Sequence, residues 1–395
     1  MSNNKVVLAF SGGLDTTYCV KYLADQGLDI YSAIVNTGGF SKEELADVET
    51  KAFELGVNKH VCLDETENFY DNCVKYLIAG NILKNNTYPL SVSAERVFQA
   101  IAIANYAKEI GAAYIAHGST GAGNDQVRFD MTFHIICPDV KIITPIRDNK
   151  LSREEEIEYL KAKGVVRDWT KSIYSINKGL WGTSVGGKET LTSNGYLPEE
   201  AWPTQVTKTE SEEISIEFIN GEPVAINGTQ YERSVDTITA LEKIAAPYGV
   251  GRDIHVGDTI IGIKGRVGFE AAAPSILIKA HHALEKHTLT KLQLNLKDQI
   301  APQYGNMVHE GQFLEPMMRD IESFLASSQK NVTGSVKIFL APYRFHVIGI
   351  ESKFDLMSSK FGSYGEMNNT WSGDDVKGFS KIFGNQTMIH RQINN

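Results

Sequence analysis

The residues best suited to chemistry form a short segment near the start of the chain, Ala9 to Thr17, with the sequence Ala-Phe-Ser-Gly-Gly-Leu-Asp-Thr-Thr. Gly12 and Gly13 have no side chains, so the backbone N–H groups around them can converge on phosphate oxygens. Hydroxyl groups and one carboxylate accompany the glycines, at Ser11, Thr16, Thr17 and Asp15. The carboxylate is suited to a magnesium ion that shields phosphate charge. The segment therefore predicts a phosphate-binding loop.

Two other interpretations of this loop are less favoured. An ordinary turn between a strand and a helix needs one or two glycines, not the full order Ser-Gly-Gly-x-Asp-Thr at the end of a predicted strand. The loop is also not of the Gly-x-x-x-x-Gly-Lys-Ser/Thr type, because no lysine follows the glycines. The favoured interpretation is therefore a phosphate-binding loop of a type other than Gly-x-x-x-x-Gly-Lys-Ser/Thr.

A second segment, His117 to Asp130, follows a short apolar run and contains three glycines among small polar residues. Both hydrogen-bond senses and both charges are available there, from Asn124, Asp125, Gln126 and Arg128. A solvated loop with a surface ion pair is the simpler alternative. We favour a groove for zwitterionic ligands, because loops at the carboxyl ends of central strands usually bind ligands.

The elements around these segments alternate between apolar runs and amphipathic stretches, which is typical of parallel strands joined by crossover helices. The predicted strands are Lys5–Phe10, Asp29–Asn36, Asn58–Leu63, Ala113–Ala116 and Lys141–Thr144. The predicted helices are Thr16–Gln26, the segment from Ser41 to Gly56, Ala94–Ile110, and one capped by Ser152 with Glu155. The first part of the chain is therefore predicted to be a doubly wound α/β nucleotide-binding domain.

The pattern changes after about Lys163, where an α+β domain is predicted. Its signals are the hairpin turns Asn220-Gly221 and Asn227-Gly228 and a helix over Ser234–Ala246. Residues 174–202 lack a period and are predicted to be a long loop. From about Lys353 the chain loses its pairing pattern, so that it is either disordered or packed on a neighbouring subunit; we favour the neighbour.

Composition restricts the class of protein. The chain has 395 residues with 42% hydrophobic and 22% charged residues, as in globular enzymes of two or three domains. Its net charge of −9, without a basic run, argues against nucleic acid as a partner and for small molecules. The N-terminus lacks a signal-peptide pattern, and no apolar run approaches the roughly 20 residues that span a bilayer. The four cysteines, predicted to be buried free thiols, suit the reducing cytoplasm, and no membrane partner is expected.

The loop from Ser11 to Thr17 resembles the pyrophosphate-binding loop of the ATP pyrophosphatase superfamily, whose members cleave ATP between the α and β phosphates. Taken together with the His117–Asp130 segment, and over nearly the whole chain, the sequence resembles argininosuccinate synthetase. The further matching segments are Tyr88-Pro89-Leu90, Tyr174-Ser175, Ser184, Gly251-Arg252-Asp253 and Lys264-Gly265-Arg266. The resemblance implies an adenine nucleotide alpha hydrolase-like domain over 1–165, a synthetase domain over 166–360 and a C-terminal oligomerisation tail over 361–395, in a homotetramer.

The resemblance also implies the binding residues. ATP is expected at Ala9, Phe10, Ser11, Gly12, Gly13, Leu14, Asp15, Thr16, Thr17, Val35 and Gly118. Aspartate is expected at Thr120, Asn124 and Asp125. Citrulline is expected at Tyr88, Ser93, Asn124, Arg128, Ser175 and Ser184. Asp15, as the ligand of Mg²⁺, and Asp125 are the candidate catalytic residues, although Asp125 either receives a proton or only binds the amine.

The implied reaction joins citrulline to L-aspartate through a citrullyl-adenylate and yields argininosuccinate, AMP and pyrophosphate, in arginine biosynthesis. Adenylylation is needed because the ureido oxygen is otherwise a very poor leaving group. Two alternatives remain open. Another enzyme with this loop would act on transfer RNA but needs a basic surface, and a nucleotide-binding regulator would have lost turnover.

Several residues depart from the family pattern where the amino-acid end of citrulline is expected. Gly257 replaces a glutamate, Phe269 replaces a tyrosine, and Ala122 replaces a lysine; the run Ser91–Glu95 also differs. A lost carboxylate leaves an ammonium without a partner. Either Asp258 or Glu270 supplies the charge, or the α-nitrogen of the substrate carries a succinyl or acetyl group and has no charge. The second hypothesis makes N-acylcitrulline a substrate.

Overall fold

A five-stranded parallel sheet organises the first part of the chain. The computed structural model describes residues 3–169, 174–358, 364–366 and 370–394. The strands are β1 Lys5–Ala9, β2 Asp29–Asn36, β3 Lys59–Asp64, β4 Tyr114–Ala116 and β5 Lys141–Ile143. Their order in the sheet is β3-β2-β1-β4-β5, and every pair is parallel. All five strands lie where the sequence predicts them, with ends that differ by a residue or two.

Helices cover both faces of this sheet. They are α1 Leu14–Asp25, α2 Lys42–Glu54, α3 Thr66–Phe69, α4 Lys75–Ala79, α5 Ser91–Glu109, α6 Asp125–Ile136, α7 Pro145–Asn149 and α8 Arg153–Ala162, with a π-helical turn between α3 and α4. Apolar residues of α1, α2 and α8 form the core on one face, and those of α5 and α6 form the core on the other. The predicted capping boxes at Ser41 and Ser152 are both present. The doubly wound α/β fold is confirmed.

Helix α5 begins earlier than the sequence predicts. Its first residue is Ser91, and the residue before it, Leu90, adopts a left-handed conformation with φ of +65°. No side chain caps this end, so the usual start signal is missing. The three extra residues are buried, which places Ser91 and Ser93 inside the protein although both are polar; Glu95, shortly after them, is buried as well.

The rest of the chain contains two antiparallel sheets and several helices. The strands are β6 Ser175–Gly179, β7 Gly182–Gly186, β8 Glu212–Ile219, β9 Glu222–Ile226, β10 Thr229–Gln230, β11 Arg252–Asp258, β12 Lys264–Glu270, β13 Gly334–Ala341 and β14 Arg344–Glu351. The helices are α9 Ser234–Ala245, α10 Ala272–Thr288, α11 Lys291–His309 and α12 Pro316–Ser328. One sheet has the order β10-β9-β8-β13-β14 and the other β11-β12-β7-β6. Both Asn-Gly turns occur as predicted, with positive φ at Asn220 and Asn227.

The prediction of a structureless loop over residues 174–202 is wrong for its first part. Strands β6 and β7 form a hairpin there, in which Ser175 lies opposite Gly186. The hairpin rests on α5: Trp181, at its turn, is buried and donates from Nε1 to the carbonyl of Pro89 at 2.8 Å. Small residues allow this close approach, since a side chain at Gly179 would collide with the carboxylate of Glu95. The hairpin is thus specified by distant contacts rather than by a local pattern.

The end of the chain forms two helices, α13 Gly373–Phe383 and α14 Asn385–Asn394, neither of which has a buried residue. Exposed apolar side chains run along both, at Val376, Phe379, Ile382, Phe383, Met388, Ile389 and Ile393. The predicted domain boundary at residues 360 and 361 lies outside the described residues. In the described part of the tail the structure shows helices rather than a disordered segment, and packing on a neighbour remains a prediction.

The cysteines follow the prediction in three cases out of four. Cys19, Cys73 and Cys137 are buried free thiols, whereas Cys62 is exposed. The expectation for Cys62 is wrong because β3 is an edge strand of the parallel sheet, where packing covers the strand less fully. In the described part of the chain, every helix is too short or too polar to cross a bilayer.

Candidate active site

The glycine-rich loop connects β1 to α1 and leaves backbone donors open. Gly12 adopts φ of +76°, a conformation that side chains disfavour, and Gly13 precedes α1 without a side-chain cap. The hydroxyl of Ser11 lies 3.4 Å from that of Thr16. The buried hydroxyl of Thr17 has no hydrogen-bond partner among the described residues. Uncapped N–H groups at a helix start bind anions, so the geometry suits a phosphate group.

Asp15, in the first turn of α1, faces the buried Glu156 of α8. Burial raises the pKa of Asp15, while a hydrogen bond with Glu156 and the charge of Arg153 lower it in part. The pKa of Glu156 is raised to about 8, first by burial and then by the charge of Asp15. Two carboxylates this close share a proton instead of ionising together. The carboxylate of Asp15 is the donor type that Mg²⁺ prefers, so this residue fits the ion chemically.

The second segment meets the loop at Gly118, which follows β4. A side chain there would come within 3.2 Å of the Cβ atom of Asp15 and 3.4 Å of the Thr16 nitrogen. These distances are shorter than most Cβ contacts, so glycine favours this approach. His117, one residue earlier, is buried and its Nε2 lies 2.9 Å from Oδ1 of Asp130, which fixes the segment onto α6. Because β1 and β4 are adjacent parallel strands, the two segments share one edge of the sheet.

Asp125 is the first residue of α6, and its carboxylate contacts two guanidinium groups. Its Oδ2 accepts from Nε of Arg96 at 3.0 Å, and its Oδ1 accepts from Nη1 of Arg128 at 2.8 Å. Burial alone raises the pKa of Asp125, but Arg96 and then Arg128 more than offset this, so the pKa lies below its usual range. The carboxylate is charged at neutral pH. This arrangement makes Asp125 a poor proton acceptor.

Arg96 connects three elements of the site. Besides Asp125, it donates from Nη2 to Oδ1 of Asn177 on β6 at 3.0 Å, so α5, α6 and the β6–β7 hairpin meet at one side chain. Its neighbour Glu95 is buried and accepts from the hydroxyl of Thr37 at 2.7 Å. Burial raises the pKa of Glu95 to about 7, opposed by Arg96. Arg96 was not predicted as a site residue; its signal in the sequence is a pair of adjacent charges at the start of an otherwise apolar helix.

The structure links two of the predicted citrulline residues, Tyr88 and Ser184, through a shared neighbour, and it holds a third, Arg128, against the end of α11. Arg128 is buried and donates from Nε and Nη2 to the carbonyl of His309 at 2.9 and 2.7 Å. Tyr88 stacks on His255 at 4.9 Å and lies 5.3 Å from Phe269, measured between ring centroids. Phe269 in turn pairs with Ser184 across β12 and β7. Tyr88 and Ser184 are therefore brought together by the intervening phenylalanine.

The remaining predicted site residues differ in their contacts and exposure. Asn124 accepts at Oδ1 from the Ile260 backbone nitrogen at 2.8 Å, while Thr120 and Ser175 are exposed. The hydroxyl of Ser93 donates to its own helix start at the Leu90 carbonyl, at 3.4 Å. Ala9 ends β1, Phe10 and Leu14 are buried beside the loop, and Val35 is buried in β2. Their assignment to individual ligands remains a prediction.

Family comparisons cover nearly the whole chain. Residues 5–166 match the model for the arginosuccinate synthase N-terminal HUP domain, and residues 174–390 match that for the arginosuccinate synthase C-terminal domain. The chain belongs to the argininosuccinate synthase family. The enzyme of that name from Methanocaldococcus jannaschii is 39% identical, with 97% of each chain covered. The one from Sulfurisphaera tokodaii is 36% identical over 98% of this chain and 99% of its own, and that from Xylella fastidiosa is 36% identical over 100% and 99%.

The structure restricts which carboxylate replaces the glutamate missing at position 257. Glu270 is buried, and its Oε2 accepts from Nε of Arg252 at 3.1 Å and from the backbone of Thr204 at 3.4 Å. A carboxylate held in this way does not turn toward a substrate. Asp258 is exposed and already pairs with Lys264 at 2.5 Å. Neither residue therefore offers a buried, unpaired negative charge.

Proposed function

We propose that this protein is an ATP-dependent ligase that joins citrulline to L-aspartate and forms argininosuccinate, AMP and pyrophosphate. One observation carries the proposal: the contact of Gly118 with Asp15 and Thr16 puts the phosphate-binding loop beside the segment that leads into the Asp125 pair with Arg96 and Arg128. A nucleotide phosphate and a charged amino acid thus share one site. The family membership supports the same reaction.

The chemistry proceeds in two displacements. The ureido oxygen of citrulline bonds to the α-phosphorus of ATP, and the bond to pyrophosphate breaks. The loop from Ser11 to Thr17 holds the departing charge with backbone N–H groups and hydroxyls. The α-amine of aspartate then bonds to the ureido carbon, AMP leaves, and the amine loses its proton. Most of the rate gain is expected from positioning and charge stabilisation.

Each substrate has its own group of residues in this proposal. Aspartate is held by Thr120, Asn124 and Asp125, and citrulline by Tyr88, Ser93, Asn124, Arg128, Ser175 and Ser184. Arg96 orients the carboxylate of Asp125 and fixes the β6–β7 hairpin, which carries both serines. Asp15 would hold Mg²⁺, which supplies charge neutralisation on the phosphates when bound. Asp125 serves as a binding group, and no residue is assigned as a general base.

Incubation of the protein with ATP, citrulline and aspartate, followed by mass analysis of the products, tests the proposal. Argininosuccinate, AMP and pyrophosphate in equal amounts are expected. A regulator without turnover would bind ATP but give none of these, and would not exchange labelled pyrophosphate into ATP when citrulline is present. An enzyme acting on transfer RNA would form AMP only when RNA is added.

The tail is proposed to pack on a neighbouring subunit within a homotetramer. Exposed apolar side chains on α13 and α14 need a partner surface, because water contact with so many of them is unfavourable. Deletion of residues 370–395 is expected to lower the sedimentation mass. The substitution Phe379→Glu should do the same, whereas the exposed Lys381→Glu on the same helix should not. An unchanged mass after deletion would contradict this role.

A further inference from the structure

A cavity of about 240 Å³ lies next to the predicted citrulline residues. Its lining consists of Lys84, Asn85, Asp258, Thr259, Ile260, His309 and Glu310. Two parts of this lining contact the site directly: the Ile260 nitrogen donates to Asn124, and the His309 carbonyl accepts from Arg128. Because Arg128 caps that carbonyl, the C-terminal end of α11 brings little negative charge into the cavity. The cavity is therefore an extension of the citrulline site.

The cavity is lined by one cation, Lys84, and by two exposed acids, Glu310 and Asp258, neither of which is in ion-pair contact with it. Lys84 is half-buried, and its Nζ donates to Oδ1 of Asn306 at 3.1 Å, yet it forms no ion pair with the described residues. Burial lowers the pKa of Lys84, and the charges of Glu310 and Asp258 raise it only in part. Both acids are exposed, and Asp258 already pairs with Lys264, so water screens their charge. An incoming anion could therefore form an ion pair with Lys84.

Two buried histidines next to the cavity add neutral donors. Burial, followed by the charge of Lys84, lowers the pKa of His255 to about 4. Burial, followed by the charge of Arg128, lowers that of His309 to about 3. Each neutral ring keeps one N–H group, and Nδ1 of His255 has no hydrogen-bond partner among the described residues. These groups suit an acceptor such as a carbonyl or carboxylate oxygen.

Gly257 has no side chain, so nothing at this position narrows the space next to the cavity. The residue is buried in β11, and any Cβ atom there would run into the ring of His255. A glutamate at this position thus requires the histidine to move. A substrate ammonium here would face Lys84. The nearby carboxylates compensate it poorly, because Asp125 is already paired with two arginines and the acids of the lining are exposed to water. An amide nitrogen carries no charge and avoids that penalty.

We propose that the cavity binds an acyl group attached to the α-nitrogen of the citrulline-type substrate, and that this acyl group ends in a carboxylate, as a succinyl group does. Its distal carboxylate pairs with Lys84, while its amide removes the positive charge at the α-nitrogen. The inference rests on the proposed function, since adenylylation and attack at the ureido carbon are unchanged. An acetyl group fits the same space but leaves Lys84 unpaired.

The test compares kcat/KM for citrulline, N-acetylcitrulline and N-succinylcitrulline with saturating ATP and aspartate. We expect the succinyl compound to be used at least as well as citrulline and about tenfold better than the acetyl compound, as one charge-assisted contact would provide. Lys84→Met should bring the succinyl-to-acetyl ratio close to one, and Lys84→Arg should keep most of it. Lys291→Met, an exposed lysine at the other end of α11, should leave the ratio unchanged.

The outcomes separate this inference from the proposed function. If citrulline is converted to argininosuccinate and the succinyl compound is used much less well, the inference is wrong and the function stands. If none of the three compounds supports formation of AMP with aspartate, the function itself is wrong. A succinyl preference that survives in Lys84→Met would overturn the role of the lysine, and the wild-type comparison is independent of how that variant folds.

Discussion

Asp15→Ala is expected to give a folded protein whose kcat falls at least about a hundredfold, the scale seen when a group that stabilises developing charge is removed. Asp15 lies in the first turn of α1, against the backbone of Gly118, where the pyrophosphate would depart. Its loss removes the candidate Mg²⁺ ligand. Steady-state kinetics over a range of Mg²⁺ concentrations measures the effect, and near-normal turnover would contradict the metal assignment.

The matching control is Glu156→Gln. This substitution removes the repulsion between the same two carboxylates but leaves the loop unchanged. Because the pKa of Glu156 in the fold is raised from 4.5 to about 8, its ionised form is disfavoured there. The resulting destabilisation is fully present above about pH 8 and disappears as the pH falls to the ordinary value. Both Asp15→Ala and Glu156→Gln should therefore have a higher melting temperature than the wild-type protein at pH 8.5. At pH 5 this difference should be smaller. Only Asp15→Ala should lose activity.

Asp125→Asn is expected to reduce kcat/KM for aspartate by roughly a hundredfold or more. The substitution keeps the shape but leaves Arg96 and Arg128 facing each other without the carboxylate that both contact. Substrate binding and the orientation of both arginines would be lost together. Initial rates at varied aspartate measure this, and a loss below tenfold would show that the carboxylate is not part of the site.

Asp130→Asn is a suitable control, because Asp130 lies on the same helix and its carboxylate also contacts two side chains. Its carboxylate contacts His117 at 2.9 Å and Arg147 at 2.6 Å, away from the arginine pair. A much smaller change in kcat/KM is expected. The lowered pKa of Asp125 also gives a pH criterion: its stabilising charge is present above the ordinary value of 3.8 and is lost only as the pH falls through the lower value in the fold. Asp125 therefore cannot cause a decline in activity between pH 7 and 5.

The parallel sheet and its helices could be predicted because their signals are local. Ser41 with Glu44, and Ser152 with Glu155, mark helix starts within four residues, and the glycine loop marks the end of β1. The β6–β7 hairpin could not be predicted in this way. Its Gly, Ser and Thr residues carry no period, and the hairpin is held by contacts with α5, such as that between Arg96 and Asn177.

In the candidate site, too, some features follow from local motifs and others depend on contacts between distant residues. The loop and the His117–Asp130 segment were evident as motifs, since each is continuous in the sequence. The pairing of Asp15 with Glu156 and the bracketing of Asp125 by Arg96 join residues that are distant in the chain. No local pattern indicates such pairs. The cavity at Lys84 and His309 likewise combines segments that only the tertiary structure brings together.

One isotope measurement directly tests whether the ureido oxygen is activated by adenylylation. Citrulline labelled with ¹⁸O in the ureido group is incubated with the protein, ATP and aspartate, and the AMP formed is examined by mass spectrometry. We expect one ¹⁸O atom in each AMP, because the ureido oxygen leaves with the α-phosphorus. Unlabelled AMP, with the ¹⁸O found elsewhere, would contradict it.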